Sequence, residues 1–472
     1  MNRNILLAVT VLLSACATIP QMTAAPALRP SDTLATAQTF SSPTGDWPSD
    51  DWWLELGDPA LSDLIREALS GSPDVALAAA RVRAADAVTR IANAALVPSV
   101  GVEASAGATQ QSQNMGVPAQ FVPDGVQGTG RIAGNFSFDL DLWGKTRAAL
   151  AAATSEAQAA HVDAAQARLM LTAAIAEAYA DLTRYFRSRD LALYGLEVRE
   201  ATATLTAQRV AIGVDTRGSL RQAEARVPTA RAEIVANDES IALTRNRIAA
   251  LLGAGPDRGL AITRPSLKTT PIGLPVNAGV DLIGRRPDIV AARLRTEAAA
   301  KRIKVARADF YPNINLSAVV GLQSLGLGQL LNAGSTTGNG GAAFRLPIFD
   351  GGRTAGRYRG ARAEYDGAVA RYDATLITAL REVADALTSS KSTDLRLAES
   401  RRALIAAQEA SDIAVLRYKG GLSNQLDVLI TSDALLAGRR SVADLEGRRQ
   451  LLDIGLIRAL GGGYRATSTG GK

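Results

Sequence analysis

The sequence predicts a mainly α-helical chain that also carries transmembrane β-hairpins and is internally duplicated. Three observations predict this: landmarks that recur at a fixed spacing, paired segments with period-two alternation, and two proline-free tracts several times longer than an ordinary globular helix.

The duplication organises the chain. Pro73-Asp74 recurs as Pro287-Asp288 and Pro98 as Pro312, both at an offset of 214. Gly144-Lys145 recurs as Gly352-Arg353, Arg209 as Arg417, Gly213 as Gly421, and Leu252-Gly253 as Leu460-Gly461, all at an offset of 208. A single six-residue indel between Pro98 and Gly144 reconciles the two spacings. The expected order is a leader at 1–16, a tether at 17–50 and a first repeat at 51–253. A linker at 254–286, a second repeat at 287–461 and a tail at 462–472 follow. Each repeat reads as helix, helix, strand, strand, long helix, helix.

The strands fall where the indel lies, in hairpins expected at 98–143 and 312–350. Val100, Val102, Ala104 and Ala106 alternate with polar or small residues, and Gly134, Phe136, Phe138 and Leu140 do so on the way back. The second copy has Ile314, Leu316, Ala318 and Val320, then Ala342, Phe344, Leu346 and Ile348. Such alternation gives each strand one apolar face, and about 10 residues cross a bilayer at ~45° tilt. On alternation alone, two half-buried hairpins of a soluble sandwich fit equally well. The joining loops, Ala108 to Gly130 and Ser324 to Asn339, are rich in Gly, Gln, Asn and Ser.

The helices tip the balance. No proline lies between Gly144 and Pro228, or after Pro347. Lys145 to Ile212 and Gly356 to Lys419 are tracts of 68 and 64 residues, each about 100 Å long as one helix. Tyr358, Ala361, Tyr365, Ala368, Tyr372, Leu376, Ala379, Val383 and Leu387 mark one buried stripe in the second. In the first, alanine dominates and allows close interhelical approach. Pro73 to Leu96 and Ser219 to Leu252 are shorter helices, able together to stack beside a long one. Pro228 is a misfit within the latter, where it should kink the helix.

Four strands cannot close a barrel, yet every backbone group in a bilayer must be paired. Other copies must therefore complete it, two chains supplying 8 strands and three supplying 12.

At the N-terminus, Arg3, an apolar run from Ile5 to Leu13, and Leu13-Ser14-Ala15-Cys16 read as a signal peptide. It resembles a bacterial lipobox, in which Cys16 becomes the acylated first residue of the mature chain. The alternative is a buried apolar thiol in a plain signal peptide. Cys16 is the one cysteine, so neither an internal disulfide nor a Cys/His zinc site can form. The net charge of +6 is interleaved along helices, and aromatics are 4%, which excludes base-stacking nucleic-acid binding. Nothing gathers a nucleophile with a base around the single histidine, His161. No catalytic residue, cofactor or metal is expected.

Several motifs together are more specific than any one alone: Trp52-Trp53 with Asp58-Pro59 and Leu61; Phe138-Asp139-Leu140-Asp141-Leu142-Trp143-Gly144-Lys145; and Arg285-Arg286-Pro287-Asp288-Ile289. To these are added Phe310-Tyr311-Pro312, Leu346-Pro347-Ile348-Phe349-Asp350-Gly351-Gly352, Arg417-Tyr418 and Leu460-Gly461-Gly462-Gly463. On them the chain resembles the TolC family, and within it the OprM- and NodT-like lipoproteins of RND-type efflux systems. The resemblance implies a homotrimer with a 12-stranded β-barrel in the outer membrane and an α-helical barrel across the periplasm. It also implies a periplasmic adaptor and an inner-membrane RND pump as partners, with drugs and other small molecules as cargo. Ducts for protein secretion or metal-ion efflux share the architecture, and a coiled-coil lipoprotein without a pore is the reading from another class.

The resemblance further implies a gate at the periplasmic helix tips. The adaptor-docking tips are Gly213-Val214 and Gly420-Gly421-Leu422. Leu426 and Asp427 match the constriction, where three Asp427 carboxylates would ring the axis and attract cations. Asp427 otherwise reads as a carboxylate at a helix N-terminus. Arg417 and Tyr418 match gate tethers. Ile430 and Ser219 depart from the family's acidic pattern, so the closing network is expected to be weaker or differently built.

Overall fold

The computed structural model describes residues 19–30, 33–41, 44–114, 116–268 and 273–466. Cys16 and the leader lie outside them. The chain forms two compact units, one built on Val82–Ala159 and Ala292–Arg371, the other on Leu28–Arg81, Ala160–Ala291 and Tyr372–Lys472.

The elements are α1 (Pro59–Gly71), α2 (Pro73–Ala94), β1 (Ser99–Thr109), β2 (Gln127–Leu140), α3 (Lys145–Ala211) and α4 (Arg217–Leu251). After a single helical turn at Asp257–Leu260 come α5 (Ala278–Arg285), α6 (Pro287–Ala308), β3 (Asn313–Leu325), β4 (Thr336–Arg345), α7 (Arg353–Lys419) and α8 (Gln425–Ala459). The helices α3 and α7 both have 67 residues, α4 and α8 both have 35, and α2 and α6 both have 22. Their starts differ by 208 or 214, the spacing of the sequence landmarks.

Element ends differ from expectation where caps act. The second long helix starts at Arg353 rather than Gly356, because Asp350 accepts from the backbone N–H groups of Gly352 (3.0 Å) and Thr354 (2.8 Å). Thr216 likewise starts α4 before Ser219 by accepting from the Ser219 N–H at 3.1 Å. The helix α4 stays continuous through Pro228, which sits on its exposed face. The hairpin loops are shorter than expected, since the strands persist through Thr109 and Leu325 and resume at Gln127 and Thr336.

In the first unit the four strands form one antiparallel sheet in the order β1-β2-β3-β4. The register aligns the faces: Val102 opposes Gly134, which opposes Val320, which opposes Gly338. Even-numbered positions carry most of the bulky apolar side chains, with Val319 and Leu325 of β3 the exceptions, and the four charged strand residues, Glu103, Arg131, Asp139 and Arg345, are all odd-numbered. One face is thus apolar and the other charged. Both outer strands, β1 and β4, leave an edge unpaired in the single chain. Where strands meet helices, Trp143 stacks on Tyr311 (4.8 Å, 21°) and its indole N–H donates to the Pro312 carbonyl at 2.7 Å. Lys145 pairs with Asp309 at 2.7 Å.

In the second unit Trp52, Trp53, Leu61, Leu64 and Ile65 pack with Ile175, Tyr179 and Leu182 of α3 and Ile248 of α4. Buried Asp58 organises this core. Its carboxylate accepts from the Tyr179 hydroxyl (2.9 Å), the Ser266 N–H (2.7 Å) and the Ala60 N–H (2.9 Å). Buried Arg286 donates to both oxygens of Asp288, to Glu382 (2.7 Å) and to the Ala459 carbonyl (3.1 Å). Within segment 254–286, the Leu274 carbonyl accepts from the Gly45 N–H (3.0 Å) and the Gly284 carbonyl from the Ala466 N–H (3.1 Å). The central part of the α7 stripe, Ala368, Tyr372, Leu376, Ala379 and Val383, is buried. Among the described residues no helix is long and apolar enough to cross a membrane.

Candidate functional site

The two helix tips close in the same way because each long helix ends on a glycine. Gly213 (φ 77) and Gly421 (φ 76) adopt the left-handed conformation. At the first tip the Gly213 N–H donates to Val210 O (3.0 Å) and the Val214 N–H to Arg209 O (2.9 Å). At the second, Gly421 donates to Tyr418 O (3.1 Å) and Leu422 to Arg417 O (2.8 Å). These paired bonds satisfy the last helical carbonyls and reverse the chain within a few residues. Thr216 and Asn424 then cap α4 and α8; Asn424 accepts from the Asp427 N–H at 3.2 Å.

The turns leave apolar side chains in the open: Ile212, Val214, Leu422, Leu426 and Ile430 are each more than half exposed. Asp427 lies exposed in the first turn of α8. Gly420 opens the tip turn and is also exposed.

Tyr418 behaves differently from its neighbours. It is fully buried, and its hydroxyl donates to Asp215 at 2.6 Å and lies 3.4 Å from the Thr206 hydroxyl. Asp215 also accepts from Arg209 Nε at 2.9 Å. The Arg209 guanidinium sits 4.4 Å from the Tyr418 ring centre and donates to the Tyr418 carbonyl at 3.0 Å. Burial, then the bond to Asp215, pushes the Tyr418 hydroxyl above its ordinary range, so it stays a donor at neutral pH. This network joins the end of α3 and its turn to the end of α7. Further along, Arg226 of α4 pairs with Asp433 of α8 at 2.5 Å.

The structure thus brings Tyr418 into a network but leaves Arg417 exposed, with no ion pair among the described residues. Sequence reasoning missed Arg209, Asp215 and Thr206. The signal for Arg209 was present, since it is the first-copy counterpart of Arg417 at the 208 offset. Among the described residues no group of three His, Cys, Asp or Glu side chains is placed to hold a metal.

A charge-sided sheet with unpaired edges and capped helix tips define the chain as a membrane-channel subunit. The family model for outer membrane efflux proteins matches residues 64–254 and 279–462, and the chain belongs to this family. The multidrug resistance outer membrane protein MdtP of Escherichia coli is 30% identical over 471 residues, covering 97% of this chain and 95% of that protein. The fusaric acid resistance protein FusA of Burkholderia cepacia is 37% identical over 328 residues, 65% of this chain and 58% of that protein. Among solved structures, the outer membrane protein VceC of Vibrio cholerae superposes with a TM-score of 0.84 at 42% identity, covering 89% of this chain and 100% of that one.

Proposed function

We propose that three copies of this chain form the outer-membrane exit channel of a tripartite RND efflux pump, passing drugs and other small molecules outward. The observation that carries this reading is the four-stranded sheet with one apolar face, one charged face and two open edges. Edges cannot remain unpaired in a bilayer, so β1 of one copy must pair with β4 of the next. Three copies make a 12-stranded barrel wide enough for drug-sized cargo, and the similarity to MdtP, a multidrug resistance outer membrane protein, agrees with that cargo.

The remaining roles follow from this assembly. Two internal repeats supply equivalent helix pairs to the periplasmic tube. Cys16 carries the lipid anchor. The exposed tip residues around Gly213, Val214, Gly420, Gly421 and Leu422 receive a periplasmic adaptor, whose partner is the inner-membrane pump. Leu426 and Asp427 form the constriction, and three exposed Asp427 carboxylates favour cations there. Tyr418 acts within its own chain through Asp215 and Arg209, whereas Arg417, exposed in one chain, reaches a neighbouring copy.

Deleting the gene tests the function. Cells without the chain should accumulate a pump substrate such as ethidium as strongly as cells without the cognate pump, and a double deletion should add nothing. Unchanged accumulation alongside normal conductance of the purified channel would mean that its cargo is not drugs.

A further inference from the structure

The apolar face of the sheet changes character along its length. Near the helices its even-numbered positions are bulky, with Phe136, Phe138, Ile314, Leu316 and Phe344. Toward the hairpin loops they become Ala106, Ala108, Gly128, Gly130 and Ser324. The face there has almost no apolar side chains of its own.

The loop between β3 and β4 fills the gap. A Cβ added to Gly130 would lie 2.9 Å from Leu330 Cδ2 and 3.1 Å from Leu327 Cδ2. One added to Gly128 would lie 3.3 Å from Leu327 Cγ. Because an even-numbered Cβ points out of the apolar face, these leucines lie on that face and not on the charged one. The Gly326 N–H donates to the Gly128 carbonyl at 2.5 Å and holds the loop down, and the Ser335 hydroxyl closes it by donating to Gln329 O at 2.6 Å. Folded this way, the loop leaves Leu327 51% and Leu331 81% exposed. The chain also carries no charged residue from Phe310 to Phe344, a span of 35 residues that includes the whole loop. A loop bathed in water would gain nothing from exposed leucines without charge.

We propose that the 326–335 loop lies in the leaflet at the loop end of the barrel, with Leu327 and Leu331 among the lipid acyl chains. The loop continues the lipid-facing band across a stretch where the strands supply only small residues, as an outward apolar band requires. This inference rests on the reading that the apolar face of the sheet meets lipid, and it commits to acyl chains as what covers the loop.

Spin labels in the trimer test it, in vesicles of phosphatidylethanolamine and phosphatidylglycerol. Labels go on cysteines at Leu331, at Val320 in the middle of the apolar face, and at Gln222 on an exposed helix position as the aqueous reference. The unsubstituted chain, in which Cys16 is the one other sulfur of this kind, is the labelling blank. Collision with oxygen should exceed collision with a water-soluble nickel chelate severalfold at both Val320 and Leu331, relative to Gln222. Adding Gly130→Val, which takes the space of the leucines, should move the Leu331 label toward water and leave Val320 in lipid. A Leu331 label open to nickel while Val320 stays in lipid overturns the loop assignment. So does a Leu331 label shielded from both reagents, which would mean protein covers it. A Val320 label in water would instead remove the barrel reading itself.

Discussion

Replacing Tyr418 with phenylalanine removes one hydroxyl from a fully buried ring and keeps its packing. The lost bond is short, 2.6 Å, and ends on a carboxylate. Hydrogen bonds to charged groups contribute about 1.5–3 kcal/mol net. The lower figure applies here, because Asp215 keeps its 2.9 Å bond from Arg209 and is not left unpaired. At about 1.4 kcal/mol per decade, the balance between resting and loosened tips shifts about tenfold in each chain. If three tips open together the shifts multiply to about a thousandfold. Single-channel recording of the trimer should therefore show a large rise in open time, and cells should become sensitive to vancomycin, which is too large for ordinary entry. Asp215→Asn should act in the same direction, and the double variant should exceed neither single effect by much, since both remove one shared bond. If Tyr418→Phe lowered heat stability but left channel opening unchanged, the network merely holds the fold and the gating argument is wrong.

Other expectations can be tested singly. Asp427→Ala should lower cation selectivity without the rise in open time expected of Tyr418→Phe, and an unchanged reversal potential would reduce Asp427 to a helix-start carboxylate. Burial pushes the Asp453 carboxyl up to about 6 despite the pull of Arg449. The folded state therefore holds this proton more tightly than the unfolded one. Its stabilising contribution is full below 3.8 and is lost as pH rises through about 6. Melting curves from pH 4 to 7.5 should show that component vanish in Asp453→Asn, and an identical pH profile in the variant would contradict it. Gly461 has φ 93, and an added Cβ would lie 2.1 Å from the Arg285 carbonyl oxygen. Gly461→Ala should thus cost at least about 2 kcal/mol, seen as reduced trimer yield and lower melting temperature. Radioactive fatty acid should label the natural chain and spare Cys16→Ser, and equal labelling of both would end the lipoprotein proposal.

Much of the fold was legible because it rests on period and length. The alternation at Val100–Ala106 and Ile314–Val320 placed the strands and assigned their faces, and proline-free tracts placed α3 and α7 to within a few residues. Ends were less legible where one side-chain oxygen decides them, as Asp350 does at the start of α7. The loop leucines were not legible at all. Gly128 and Gly130 read as ordinary loop glycine until the register placed them on the apolar face beneath Leu327 and Leu330. At the tips, Gly213 and Gly421 announced the turns, since a left-handed residue there is cheap only for glycine. The network around Tyr418 was only half visible. Asp215 lies 203 residues from Tyr418, and its second-copy counterpart is Ser423, so the duplication that identifies Arg209 is silent about its partner.

The closure of one barrel by three copies is tested most directly by the mass of the purified protein in mild detergent. Light scattering or native mass spectrometry should return three chains, from the same preparation that conducts ions in a planar bilayer. A conducting species of one or two chains would contradict the twelve-strand count and the assembly built on it.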